Sequence, residues 1–123
     1  DKLLARGPSS LREVPLAVIV NGGSASAAEI LAGALKDTLD TPIVGEKTFG
    51  KGTVQELYEL SDGSLLKVTI AHWLTPKGRE IDKNGILPDY VVKTSDEDEK
   101  AEIDRPLNRA IELVKKKMAA SAR

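Results

Sequence analysis

Residues 16–35 read Leu-Ala-Val-Ile-Val-Asn-Gly-Gly-Ser-Ala-Ser-Ala-Ala-Glu-Ile-Leu-Ala-Gly-Ala-Leu. The first five are apolar without alternation and rich in β-branched side chains. That is the pattern of a strand covered on both faces, as in a parallel sheet. Asn21-Gly22-Gly23 breaks it. From Ser26 onward Ala27, Ile30, Leu31, Ala34 and Leu35 recur at helical spacing, with Glu29, Lys36 and Asp37 on the opposite side. Thr41-Pro42 closes the helix, and Ile43-Val44 opens a second short strand. Strand, glycine-rich turn, helix and strand make one βαβ unit, so the expected fold class is α/β.

Upstream, residues 1–14 are mixed in charge around Gly7-Pro8-Ser9-Ser10 and read as a lead-in loop. Downstream, two strand-like segments, 53–60 and 65–74, flank Ser61-Asp62-Gly63-Ser64, a hairpin signal. In the second segment Leu66, Val68, Ile70 and His72 share one face; Lys67, Thr69, Ala71 and Trp73 share the other. Thr75-Pro76-Lys77-Gly78 is a turn, residues 82–88 are irregular, and Tyr90-Val91-Val92 reads as a last short strand. Residues 93–104 hold the run Ser95-Asp96-Glu97-Asp98-Glu99 and read as a solvated acidic linker. Residues 105–120 read as a final helix with Pro106 near its start. Leu107, Ala110, Ile111, Val114 and Met118 form its apolar face, and Lys115-Lys116-Lys117 suits its C-terminal end.

A chain of 123 residues fits one domain with a real core. Its net charge of −1 gives no electrostatic reason to expect nucleic acid or an anionic membrane as partner. Without cysteine there is no disulfide or thiolate metal site, and a single histidine argues further against zinc. The longest apolar run, residues 16–20, is far too short to cross a bilayer. The chain begins at Asp1 and reads as a piece of something longer, so the lack of a targeting signal bears little on the parent.

Chemistry is concentrated in two glycine-flanked turns. The second, residues 45–55, reads Gly-Glu-Lys-Thr-Phe-Gly-Lys-Gly-Thr-Val-Gln. Ser26 stands at a helix start and Lys51 in a tight Gly-Lys-Gly turn. A serine with no useful histidine needs another base, and a desolvated lysine can be one. Such a lysine must fall from about 10.4 toward 7–8, which requires burial. Ser26-Ala27-Ala28-Glu29 equally fits a capping box, with the serine capping the helix and Glu29 reaching back. The two readings conflict only in part. A hydroxyl at a helix N-terminus also has the free N–H of the next residue, Ala27, as an oxyanion donor. Gly22 and Gly23 would let a substrate backbone come close. Gln55 could steady the lysine amine or be an ordinary strand polar residue.

Residues 45–51 also match the first seven positions of a phosphate-binding loop. The match fails at Gly52, where the magnesium-binding hydroxyl belongs, and the following residues read as strand where a helix is required. Nucleotide binding is therefore disfavoured. His72 lies on the apolar face of its strand and reads as a satisfied structural histidine.

Taken in order, residues 18–34, residues 43–55, Asp62-Gly63-Ser64, residues 69–78 and Gly85-Ile86-Leu87-Pro88-Asp89 resemble the C-terminal processing (tail-specific) proteases of peptidase family S41. The resemblance covers about residues 15–92. It implies a fold related to the crotonase and ClpP arrangement. It further implies that Ser26 is the nucleophile, Lys51 the base and Gln55 its support, with Ala27 N–H, Gly22 and Gly23 lining the oxyanion and substrate side. No metal or cofactor is needed for that chemistry. The substrate implied is the C-terminal tail of a protein or peptide, and the parent is expected outside the cytoplasm, in the periplasm or cell envelope. The family's upstream PDZ domain and its Arg-Asn-Pro-Gly-Gly-type segment, which supplies a second oxyanion donor, do not occur in these residues. The chain is thus expected to be the C-terminal part of the protease core and inactive as an isolated piece. A non-catalytic binder of peptides or apolar ligands with the same fold is the alternative.

Overall fold

The computed structural model describes Ser10 and residues 12–121. Most of the expected lead-in, residues 1–9 and Leu11, lies outside them. In chain order the elements are β1 (Val18–Val20), α1 (Ala27–Leu39), β2 (Ile43–Gly45), β3 (Thr53–Glu59), β4 (Leu65–His72), β5 (Tyr90–Val91), α2 (Asp96–Lys100) and α3 (Arg105–Ser121). β1, β2 and β5 form a parallel sheet in the order β1-β2-β5, with Val18 opposite Ile43 and Val44 opposite Tyr90. The expected βαβ unit is present as β1-α1-β2. β2 is the central strand and is buried along its whole length.

Val20, Ala32, Ile43, Ile81 and Ile86 form the core, with Val18 and Ile30 packed against it. Fully burying a valine- or isoleucine-sized side chain contributes about 1.5–3 kcal/mol relative to leaving it exposed. The helix α3 packs across β1 and β2 and buries Ala110. Arg109 stacks over the Tyr90 ring, 4.7 Å from its centroid.

Helix α1 corrects the expectation drawn from its periodicity. Leu31 is 59% exposed and Ala27 is also exposed, whereas Glu29, Ala32 and Gly33 are buried. The inward stripe continues at Lys36 and Asp37, one turn further on. Glu29 on this side is buried and Lys36 and Asp37 are half-buried, and all three charged groups find partners. Lys36 Nζ donates to the Leu87 carbonyl at 2.9 Å and pairs with Asp89 at 2.7 Å. Asp37 accepts from Lys77 N–H at 3.0 Å and from the Arg79 guanidinium. Apolar periodicity is blind to a face that packs through satisfied polar groups.

The acidic stretch departs from a solvated linker as well. Residues 96–100 form the short helix α2, capped by Ser95, whose Oγ accepts from Asp98 N–H at 3.1 Å. Asp98 is buried and accepts from Arg105 Nε at 2.6 Å. That arginine is the main cause holding the Asp98 carboxyl far below its usual range. The hairpin forms as expected: β3 and β4 are antiparallel, with a bulge between Val54 and Gln55.

Candidate active site

Both glycine-flanked turns follow the carboxyl ends of neighbouring parallel strands, where α/β sheets place their sites. The turn from 21 to 26 leaves β1, and the turn from 46 to 52 leaves β2. Phe49 N–H donates to the Ser24 carbonyl at 2.9 Å, which joins the two turns directly.

Their main junction is the Glu29 carboxylate, which has no exposed surface. Oε2 accepts from Ser26 N–H and from Lys51 N–H, each at 2.9 Å. Oε1 accepts from Gly50 N–H at 2.7 Å and from the Thr48 hydroxyl at 2.5 Å. The Ser26 and Lys51 nitrogens share one oxygen, so they can be no further apart than twice that 2.9 Å distance. Burial pushes the Glu29 carboxyl up. The donors from Thr48, Gly50, Lys51 and Ser26 outweigh it and hold the group below its ordinary value. A carboxylate with four donors is the ionised form. Thr48 is itself buried and accepts from Ile86 N–H at 2.7 Å, which ties the junction to the core segment 81–86.

Ser26 takes φ 54° and ψ −116°, outside the regions open to a residue with a Cβ. A non-glycine residue held there costs about 1–3 kcal/mol, and such strain clusters at functional sites. The capping box is present, and its firm bond is Ser26 N–H to Glu29. The first-turn N–H groups of Glu29 and Ile30 donate to the Ser26 carbonyl at 2.9 and 3.0 Å, and the Ser26 side chain, although it faces Glu29 N–H in the box, makes no full capping hydrogen bond. Ser26 and Ala27 are exposed, and Ala27 N–H donates to no group among the described residues. An open hydroxyl next to a free N–H is what an attacking oxygen and an oxyanion donor require.

The Lys51 side chain is exposed, as is Gln55 at the bulge of β3. Among the described residues no hydrogen bond joins the side chains of Ser26, Lys51 and Gln55. The structure therefore brings together the backbones of Ser26 and Lys51 while their side chains remain unbonded. Gly22 and Gly23 are exposed in the same turn; a Cβ on Gly22 would meet open space, and Gly23 N–H donates to Asn21 Oδ1 at 2.9 Å. Gly52 allows a close backbone crossing, since a Cβ there would stand 2.3 Å from Asp82 N. His72 pairs with Glu80 at 3.0 Å on the exposed hairpin. Among the described residues no cluster of histidine, aspartate and glutamate could hold a metal ion, and no helix is long and apolar enough to cross a membrane.

Glu29 is the residue that sequence reasoning undervalued. Its position three after Ser26 signalled the cap, but nothing in the sequence links it to Thr48, Gly50 and Lys51, about twenty residues away.

A family model described as Peptidase family S41 matches residues 3–92. The carboxyl-terminal-processing protease of Synechocystis sp. is 58% identical over 79 residues, which cover 64% of this chain and 18% of that protein. The chloroplastic carboxyl-terminal-processing peptidase 2 of Arabidopsis thaliana is 54% identical over 71% of this chain and 17% of its own length. Among solved structures, the photosystem II D1 C-terminal processing protease is similar with a TM-score of 0.63 at 52% identity, over 66% of this chain and 21% of that one. The fold is the α/β, ClpP/crotonase-like kind that this likeness carries. The chain spans less than a fifth of the length of these two curated relatives.

Proposed function

The chain belongs to peptidase family S41, and we propose that it carries the nucleophile and general base of a serine endopeptidase that cleaves proteins near their C-termini. The observation that carries this reading is the shared Glu29 oxygen, which fixes the backbones of Ser26 and Lys51 side by side while Ser26 is strained into an open position. In the proposed sequence the Lys51 amine acts as the base and takes the proton from Ser26 Oγ. The oxygen attacks a substrate carbonyl carbon, and Ala27 N–H donates to the oxyanion. Lys51 returns the proton to the leaving amine, which departs as the acyl-enzyme forms. Water, deprotonated by Lys51, then releases the acyl group and restores Ser26. Gln55 steadies the amine from the start of β3. Gly22 and Gly23 leave room for the substrate backbone. The substrate class is a protein or peptide tail, and the expected compartment is outside the cytoplasm, as in the periplasm or cell envelope.

The exposed, unbonded side chains of Lys51 and Gln55 favour one rival, a binding module that keeps the fold without cleavage. The experiment that separates them is cleavage of a disordered peptide with an apolar C-terminus by the intact protein. Ser26→Ala and Lys51→Ala should each abolish turnover with the fold unchanged. Lys51→Arg should be equally inactive, because a guanidinium does not deprotonate near neutral pH. Turnover retained by Lys51→Arg would rule out lysine as the base. Failure of a serine-directed fluorophosphonate to label Ser26, together with no cleavage, would favour the binding module.

A further inference from the structure

Resting on the Ser26–Lys51 reading, we infer that Glu29 is a positioning residue for the reaction, acting through the two backbones it holds. A capping role alone accounts for only one of its four hydrogen bonds, the one from Ser26 N–H. The other three come from Thr48, Gly50 and Lys51, all in the second turn. The two oxygens divide the work. Oε1 holds Gly50 and Thr48, and Thr48 fastens the turn to the core by accepting from Ile86 N–H. Oε2 holds Ser26 and Lys51, the residues proposed to react.

Three physical features make this more than a structural tie. The carboxylate is wholly buried, so its bonds are not screened by water and its charge depends on those four donors. The bond to Ser26 N–H acts on the residue with strained backbone angles, so it helps to hold that backbone in place. The bond to Lys51 N–H fixes where the lysine stem begins, and hence which region its amine sweeps. Glu29 touches neither substrate nor reacting atoms; it sets the separation and orientation of the groups that do.

Glutamine at this position keeps the length and volume but has one acceptor oxygen. Its NH2 would face two donors, the Ser26 and Lys51 N–H groups or the Thr48 hydroxyl and Gly50 N–H, so one of the two pairs loses its acceptor. The test is steady-state kinetics of Glu29→Gln in the intact protein, well below its melting temperature, with circular dichroism as the check on folding. The expected result is a fall in kcat of about a hundredfold with KM within about threefold, the size of effect that small misplacement of reacting groups produces. Labelling of Ser26 by a fluorophosphonate should slow by a similar factor. A folded Glu29→Gln protein with kcat within about threefold of the parent would overturn the proposal. Should that variant not fold, Glu29→Asp replaces it, keeping the charge while withdrawing the carboxylate by one methylene. A loss of at least about tenfold in kcat at unchanged KM supports the positioning role, and an unchanged kcat overturns it. Ser26→Ala and Lys51→Arg run beside them. If those two retain turnover, the dyad reading itself fails, whereas their inactivity beside a fully active Glu29→Gln removes only the role of Glu29.

Discussion

The turn held by Glu29 and the β3–β4 hairpin meet at Lys51–Thr53, and they are built on opposite terms. In the turn, polar groups lie inside: Glu29 and Thr48 are buried and fully bonded. In the hairpin, apolar groups lie outside. Residues 55–74 are all exposed, with Leu57, Leu65 and Ile70 more than half so. The hairpin is held by its own ladder and by a root where Trp73 N–H donates to the Gly52 carbonyl at 2.7 Å. Two-stranded hairpins on their own are marginal. The contrast teaches that in this chain order at the site comes from a polar junction, and that hydrophobicity is a poor guide to which side chains matter.

The largest effect expected from that contrast is on stability. Glu29→Ala leaves the Thr48 hydroxyl and the Gly50 N–H buried without their acceptor and should cost about 3–5 kcal/mol. Leu66→Ala on the hairpin removes a larger apolar group, yet from an exposed position, and should stay within about 0.5 kcal/mol. Urea unfolding of the two variants checks this. Comparable costs would break the contrast, by showing that the hairpin's apolar side chains are as important to folding as the junction.

The same asymmetry explains what the sequence disclosed. The β-branched run 16–20, the Asn-Gly-Gly break and the Asp62-Gly63 turn follow local rules, and the sheet and hairpin appear where those rules put them. The two turns that carry Ser26 and Lys51 were also legible, through the glycines that flank them, and the structure brings the backbones of those two residues together. Glu29 was legible only as half of a cap. Its burial depends on donors from Thr48, Gly50 and Lys51, and such long-range pairing leaves no periodic trace. For the same reason the inward stripe at Glu29, Lys36 and Asp37 read as solvent-facing. Asp98 repeats the lesson: inside an acidic run that reads as linker, one carboxylate is buried because Arg105, seven residues on, reaches it.

A second expectation concerns acid. Burial raises the Glu29 carboxyl, but its four donors prevail, so its folded-state value lies below the ordinary 4.5. A depressed folded value means that the native state binds its proton later than the unfolded chain does. The stabilisation is therefore fully present above about pH 4.5 and is lost as pH falls through the depressed folded value. Glu29→Gln should flatten the acid limb of a stability–pH curve. On the hairpin, Asp62 is also lowered, chiefly by the Ser64 hydroxyl, but it is exposed. Asp62→Asn should leave the limb unchanged. An identical acid limb in the parent and in Glu29→Gln would mean that the junction does not titrate as described.

The smallest effect tests the strain at Ser26. The hairpin places a glycine, Gly63, where its turn needs φ 82°, and so avoids any penalty. The site keeps a serine at φ 54° and ψ −116°, where a Cβ is opposed. Replacing Ser26 by glycine or by alanine removes the same hydroxyl, so both variants should be inactive under the proposed chemistry. They should differ in stability. Glycine relieves the backbone, while alanine retains the strain. Glycine also makes the unfolded chain looser, which offsets about 0.4–1 kcal/mol of the relief. With strain of about 1–3 kcal/mol at stake, Ser26→Gly should be more stable than Ser26→Ala by about 1 kcal/mol. Thermal melts of the pair decide it. A glycine variant no more stable than the alanine one would mean that Ser26 is unstrained in solution, and that the serine sits in the turn without the tension that keeps its hydroxyl open to attack.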